Sequence, residues 1–133
     1  MYSLAFPNAK IVKTGSITAE MVKYFTNTFL ATKVSFANEM KQICDGLNID
    51  YDKVVEYSTY DERLGKSHWA VPGPDGKLGF GGSCFPKDLN ALIHLARNLE
   101  TSLNTIGGAW DTNLDVRPEE DWKELKGRAV VDE

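Results

Sequence analysis

From Thr18 to Asp45 the chain contains neither proline nor glycine, and Gly46 then offers a natural helix stop. This run predicts one helix over about residues 18–46, about 42 Å long at 1.5 Å per residue. Thr18 is placed to cap it, with Glu20 in the first turn facing the positive end of the helix dipole. So long a rod decides what 133 residues, the length of one domain, can build around it. Its apolar residues (Met21, Val22, Tyr24, Phe25, Phe29, Leu30, Val34, Phe36, Met40, Ile43) do not keep to one stripe. A helix that is apolar on several sides is covered on several sides. One small domain cannot supply all of that cover, so a partner chain is expected, and a two-fold homodimer is the simplest form. The expected fold class is all-α, a helical domain organised on this helix.

Composition narrows the partners. Hydrophobic and charged contents of 42% and 26% are ordinary for a folded domain. The net charge of −4 argues against nucleic acid or an anionic membrane surface as a partner. No apolar run approaches membrane-spanning length, and no signal peptide is read at the N-terminus. The two cysteines stand in dissimilar settings, which predicts no disulfide framework and points to a reducing cytoplasm. His68 and His94 are far apart and lack companions at ligand spacing, so no metal site is expected.

Along the long helix, Lys23 and Asn27 stand at i and i+4 and share a face. They are either two solvated residues or an ammonium and an amide aimed at one oxygen, a pairing that stabilises developing negative charge. Asn38-Glu39 reads as a structural hydrogen-bonding pair. Asp50 reads as the cap of a short helix from Tyr51 to about Ser58, with Val54 and Val55 inward. Asp61-Glu62-Arg63-Leu64-Gly65 is a break, where Arg63 is a surface ion pair or an anion clamp. Residues 66–82 form a loop of about 17 residues, a length usually tied to function. Trp69 and Phe80 in it either flank a flat ring or pin the loop to the core. Its glycines do not make a dinucleotide fingerprint, because no βαβ unit surrounds them.

The loop ends in Gly79-Phe80-Gly81-Gly82-Ser83-Cys84-Phe85-Pro86-Lys87-Asp88. Pro86 suits the opening of a helix running to about Leu99, with Leu89, Leu92, Ile93 and Ala96 buried and His94 at the surface. Cys84 then sits at a helix start, where free N–H groups and the dipole favour an anion, and the thiolate is the nucleophilic form of a thiol. Asp88 lies one turn on and is placed to hold a water or tune the thiol. Gly81 and Gly82 leave the backbone open to close approach. Cys44, in an apolar helical pattern, reads as core. A last helix from about Ser102 to Asn113, interrupted at Gly107-Gly108, packs Trp110 and Leu114 inward and ends before Pro118. Ala129-Val130-Val131 reads as the first half of a strand.

The run Ala19–Ala31, then Asn38-Glu39, Asp61–Gly65 and Gly79–Asp88, resembles the central domain of the UDP-glucose/GDP-mannose dehydrogenase family. These motifs follow the family's order from about Thr14 to Asn113, and Gly127–Val131 resembles the passage into that family's third domain. The resemblance implies a lead-in over residues 1–17, a helical dimer-forming domain over 18–116, and over 117–133 the start of a C-terminal nucleotide-binding domain. It implies four-electron oxidation of the primary alcohol of a UDP-sugar to a carboxylate, with NAD as hydride acceptor. Cys84 would form a thiohemiacetal and then a thioester, Lys23 and Asn27 would steady the oxyanions, and Asp88 would help water hydrolyse the thioester. Arg63 would reach the other subunit's substrate. Phe80 and Gly81 would line the sugar-nucleotide pocket, with His68 and Trp69 where the family usually has Phe-Leu. The family's NAD-binding domain has no counterpart in these residues, so a separate NAD-binding chain or a full-length enzyme is an expected partner. The alternative is a non-catalytic helical dimerisation or interaction module of the same descent.

Overall fold

The computed structural model describes residues 16–125, and within them every regular element is helical. Helix α1 spans Ser16–Gly46 (31 residues), α2 Tyr51–Ser58, α3 Cys84–Asn98 and α4 Asn104–Val116. Single 3-10 turns cover Glu62–Leu64 and Asp121–Leu125. The lead-in expected over residues 1–17, apart from Ser16 and Ile17 at the start of α1, and the Ala129–Val131 strand lie outside the described residues.

Helix α1 is the spine, with α3 and α4 packed along it and α2 at its C-terminal end. The residues it turns toward α3 and α4 are small or polar: Thr28, Ala31, Ser35 and Asn38. Spacings of three and four place these on one face. Small side chains let the backbones close up, and the Ser35 hydroxyl donates directly to the Ala109 carbonyl of α4 at 2.6 Å. Ala31 joins Phe80 and Leu89 in one core cluster, with Val34, Phe85, Ile93, Ile106 and Trp110 packed against it. A second cluster of Ala37, Cys44, Tyr51 and Val71 joins the far end of α1 to α2. The Tyr51 hydroxyl donates to the Trp69 carbonyl at 2.6 Å, and burial pushes its pKa up to about 12. Cys44 is thus core, as its setting in the sequence indicates.

The large apolar residues of α1 take the opposite course. Phe25, Phe29, Phe36 and Ile43 are all more than half exposed. The fold covers the helix where its side chains are small and leaves the large ones outside.

Several boundaries differ from the sequence reading. Helix α1 already includes Ser16, so Thr18 lies within its first turn rather than capping it. Helix α3 opens at Cys84, not Pro86, with Ser83 at the cap position making no side-chain capping bond. Proline in this first turn costs no intrahelical bond, since those N–H groups have no partner anyway. Helix α4 starts two residues late and runs unbroken through Gly107 and Gly108 to Val116. Tertiary packing of Ile106, Ala109 and Trp110 on α1 outweighs the helix penalty of the glycine pair, about 1 kcal/mol each.

Candidate functional site

Two helices meet at one carboxylate. Lys23 and Asn27, one turn apart on α1, both reach Asp88 on α3. The Asn27 amide donates to Asp88 Oδ2 at 2.6 Å, and Lys23 Nζ lies 3.5 Å from Oδ1. The Asp88 side chain is 1% exposed, whereas that of Lys23 is 49% exposed, so the ammonium links a buried anion to solvent. Asp88 Oδ1 accepts no hydrogen bond from the protein. A buried carboxylate oxygen without a donor is costly, of the order of 1–3 kcal/mol or more, and such groups collect where chemistry is done. Cys84 precedes Asp88 by one turn, at the first position of α3, and is exposed. The four residues singled out at the sequence level, Lys23, Asn27, Cys84 and Asp88, therefore gather at one end of the α1–α3 contact.

The loop leading to Cys84 is held from below by buried polar side chains. Asn38 on α1 accepts the Gly79 N–H at 3.2 Å. Asn113 on α4 accepts the Phe80 N–H at 2.7 Å and returns a bond to the Phe80 carbonyl at 3.0 Å. Its amide thus replaces a neighbouring β-strand. Arg117 donates to the Leu78 carbonyl and to the carboxylates of Asp75 and Asp121. Arg117's hydrogen bonds, working against burial, hold the Asp121 carboxyl down at about 2. Burial pushes the Asp75 carboxyl up, but bonds from Arg117 and the Lys77 N–H bring it below the usual range.

Those contacts explain the glycines. Gly79 has φ +66°, and a Cβ there would run into Asn113 Oδ1. A Cβ at Gly81 would stand 2.6 Å from Arg117 Cζ. What approaches Gly81 closely within the chain is a guanidinium. The N–H groups of Gly79 and Phe80 are spent on asparagine side chains, and no strand occurs among the described residues. These N–H groups are therefore not free to cradle a dinucleotide phosphate.

The remaining sequence-level candidates lie around this loop. The Phe80 ring is buried against Phe85 and Trp110, and so pins the loop to the core. Trp69 does likewise on the other cluster: its indole N–H donates to the Gly65 carbonyl, and its face carries the Lys33 ammonium at 4.5 Å. Lys33, buried and lowered in pKa by burial, also donates to the Leu64 carbonyl at 2.9 Å and so fastens the Asp61–Gly65 turn to α1. His68, exposed with φ +70°, lies 5.8 Å ring to ring from Phe85, next to Cys84. Burial and the Lys33 charge push its imidazole pKa down. Arg63 projects from the surface, 88% exposed, and is forked onto its own neighbour Asp61. It makes no contact with the Cys84 cluster among the described residues. His94 is exposed, no cluster of three or more His, Cys, Asp or Glu side chains that could hold a metal ion occurs among the described residues, and none of their helices is long and apolar enough to cross a membrane.

Sequence reasoning missed Asn113, Arg117 and Lys33. For the first two the signal is phase: 106, 109, 110, 113 and 117 fall on the inward side of α4 and its extension, so a polar residue there needs a buried partner.

Comparison of the sequence with known proteins shows its family. The sequence model of the UDP-glucose/GDP-mannose dehydrogenase family, central domain, matches residues 17–115. The chain is 39% identical over 110 residues to the UDP-glucose 6-dehydrogenase TuaD of Bacillus subtilis, covering 83% of this chain and 23% of that protein. It is 39% identical over 125 residues to the UDP-glucose 6-dehydrogenase AglM of Haloferax volcanii, covering 94% of this chain and 28% of that one. A further Bacillus subtilis relative, UDP-glucose 6-dehydrogenase YwqF, is 46% identical over 90 residues, 68% of this chain and 19% of its own length. The chain thus spans between 19% and 28% of the length of these relatives. It belongs to the UDP-glucose/GDP-mannose dehydrogenase family, within the part of the sequence that forms the family's central domain.

Proposed function

We propose that these residues are the covalent-catalysis and dimerisation core of a UDP-glucose 6-dehydrogenase. The observation that carries this reading is the convergence of Lys23 and Asn27 on a buried Asp88 one turn from Cys84. Cys84 adds to the sugar aldehyde: the S–C bond forms, and the thiol proton passes to the carbonyl oxygen to give a thiohemiacetal. Lys23 and Asn27 stabilise the oxyanion as charge develops there. At the later thioester stage Asp88, whose Oδ1 is free of protein donors, holds water for attack and takes its proton, while the Cys84 thiolate leaves. NAD, the hydride acceptor by family membership, would take one hydride from C6 in forming the aldehyde and a second in converting the thiohemiacetal to the thioester. Arg63 serves the substrate of a second subunit, and His68 and Trp69 line the nucleotide-sugar pocket, with Phe80 and Gly81 supporting its wall from the core side. The exposed Phe25, Phe29, Phe36 and Ile43 favour pairing of α1 with a second copy. Two free thiols suit a reducing cytoplasm.

Thiohemiacetal formation needs no hydride acceptor, so the chain itself can be tested. UDP-glucose 6-aldehyde labelled with 13C at C6 is mixed with the protein and followed by NMR. A new C6 resonance that survives Cys44→Ala and disappears in Cys84→Ala is expected; no resonance, or one that also needs Cys44, refutes the reading.

The same exposed apolar residues support a second reading, a pairing module without catalysis. Native mass spectrometry of the chain mixed with a full-length relative decides it: mixed dimers without any aldehyde adduct favour the module, and no exchange removes its support.

A further inference from the structure

The polar cluster under the loop has no part in the chemistry just described, and Arg117 and Asp121 lie beyond the residues 17–115 matched by the family. Asn113 is 0% and Arg117 1% exposed. A buried amide and a buried guanidinium would cost more than apolar residues of the same size unless their placement did something. Asn113 bonds the Phe80 N–H and carbonyl, and Arg117 donates one of its hydrogen bonds to the Leu78 carbonyl, four to six residues ahead of Cys84. Gly79 and Gly81 are the positions where a side chain would collide with these same two residues. Arg117 further joins the Pro72–Lys77 turn, through Asp75, to the 3-10 turn at Asp121. The loop backbone is thus held at three consecutive residues by side chains of α1, α4 and the segment after α4.

We infer that Asn113 and Arg117 are positioning residues, which fix the Leu78–Gly81 backbone and thereby the place and helical start of Cys84. The meaning for catalysis rests on the proposed role of Cys84; the clamp itself does not. Loss of the clamp lets the first turn of α3 fray and weakens the helix-start environment of the sulfur, whereas loss of mere stability opens both core clusters together.

The test compares Asn113→Ala and the milder Arg117→Lys with the parent chain. Three things are read: amide hydrogen exchange at Gly79 and Phe80, iodoacetamide labelling of Cys84 and Cys44 resolved by peptide mass, and the 13C-aldehyde adduct. Exchange at Phe80 is expected to rise about 10-fold or more while amides around Cys44 change less than about 3-fold. Cys84 labelling is expected to slow about 3- to 5-fold with Cys44 unchanged. Adduct formation is expected to fall about 10-fold. Should Asn113→Ala fail to fold, Arg117→Lys, which keeps the charge and loses the fork, carries the same comparison. Parallel changes at Phe80 and in the Cys44 cluster, or a loosened loop with unchanged Cys84 labelling, overturn the inference. A parent chain that labels as expected but forms no adduct refutes the proposed function and leaves the clamp standing.

Discussion

Replacing Lys23 by methionine removes the ammonium paired with the buried Asp88 carboxylate. Asp88 then keeps a single donor, the Asn27 amide on Oδ2, and Oδ1 has neither a hydrogen bond nor a countercharge. Breaking a fully buried ion pair costs about 3–5 kcal/mol, and an exposed pair contributes about 0–1 kcal/mol. Lys23 is half in solvent while Asp88 is not, so about 2 kcal/mol is expected for Lys23→Met. In a domain of this size that lowers Tm by roughly 6–12 °C. The assay is urea denaturation of the parent, Lys23→Met, Asp88→Asn and the double variant. With Asp88 neutralised the loss of Lys23 becomes nearly silent, giving a coupling of at least about 1 kcal/mol. Lys87→Met, on the exposed side of α3, is the control and should stay within about 0.5 kcal/mol of the parent. A Lys23→Met variant as stable as that control, with additive effects in the cycle, would refute the claim that Lys23 answers the buried charge.

Two further outcomes follow from the same packing. Gly108 lies inside α4, and a Cβ there meets nothing within 4 Å, so Gly108→Ala should stabilise the chain by about 0.5–1 kcal/mol in the same denaturation assay. The carboxyl of Asp121 is held at about 2 when folded, against about 3.9 in an unfolded chain. Its contribution is therefore complete above the unfolded value and disappears as pH falls from about 4 through 2. Asp121→Asn should flatten the stability-against-pH curve in that window by about 1–2 kcal/mol, and an unchanged acid limb would show that Arg117 does not hold it.

Much of the site was legible because its residues obey local rules. Lys23 and Asn27 share a face by helix period alone, and Asp88 follows Cys84 by one turn. Asp50 caps α2 through bonds to the N–H groups of Asp52 and Lys53, as its side chain and position predict. What was not legible was decided by tertiary contact. The helix tolerates Gly107-Gly108 because neighbouring residues of α4 pack on α1. Phe25 and Phe29 stay exposed while Ala31 and Ser35 go inside, because a close helix crossing needs small residues more than large ones. Gly81 packs against Arg117, 36 residues away by sequence position, a pairing that no local period encodes.

The central claim is that Cys84 is the nucleophile facing a nucleotide sugar, and side-chain labelling reads it directly. The folded chain is treated with limiting iodoacetamide, with and without UDP-glucose, and the two cysteine peptides are quantified by mass. Cys84 should label at least about 100-fold faster than Cys44, which must wait for its cluster to open, and UDP-glucose should protect Cys84 alone. Equal labelling of the two thiols, or labelling of Cys84 that is indifferent to the nucleotide sugar, would contradict the account.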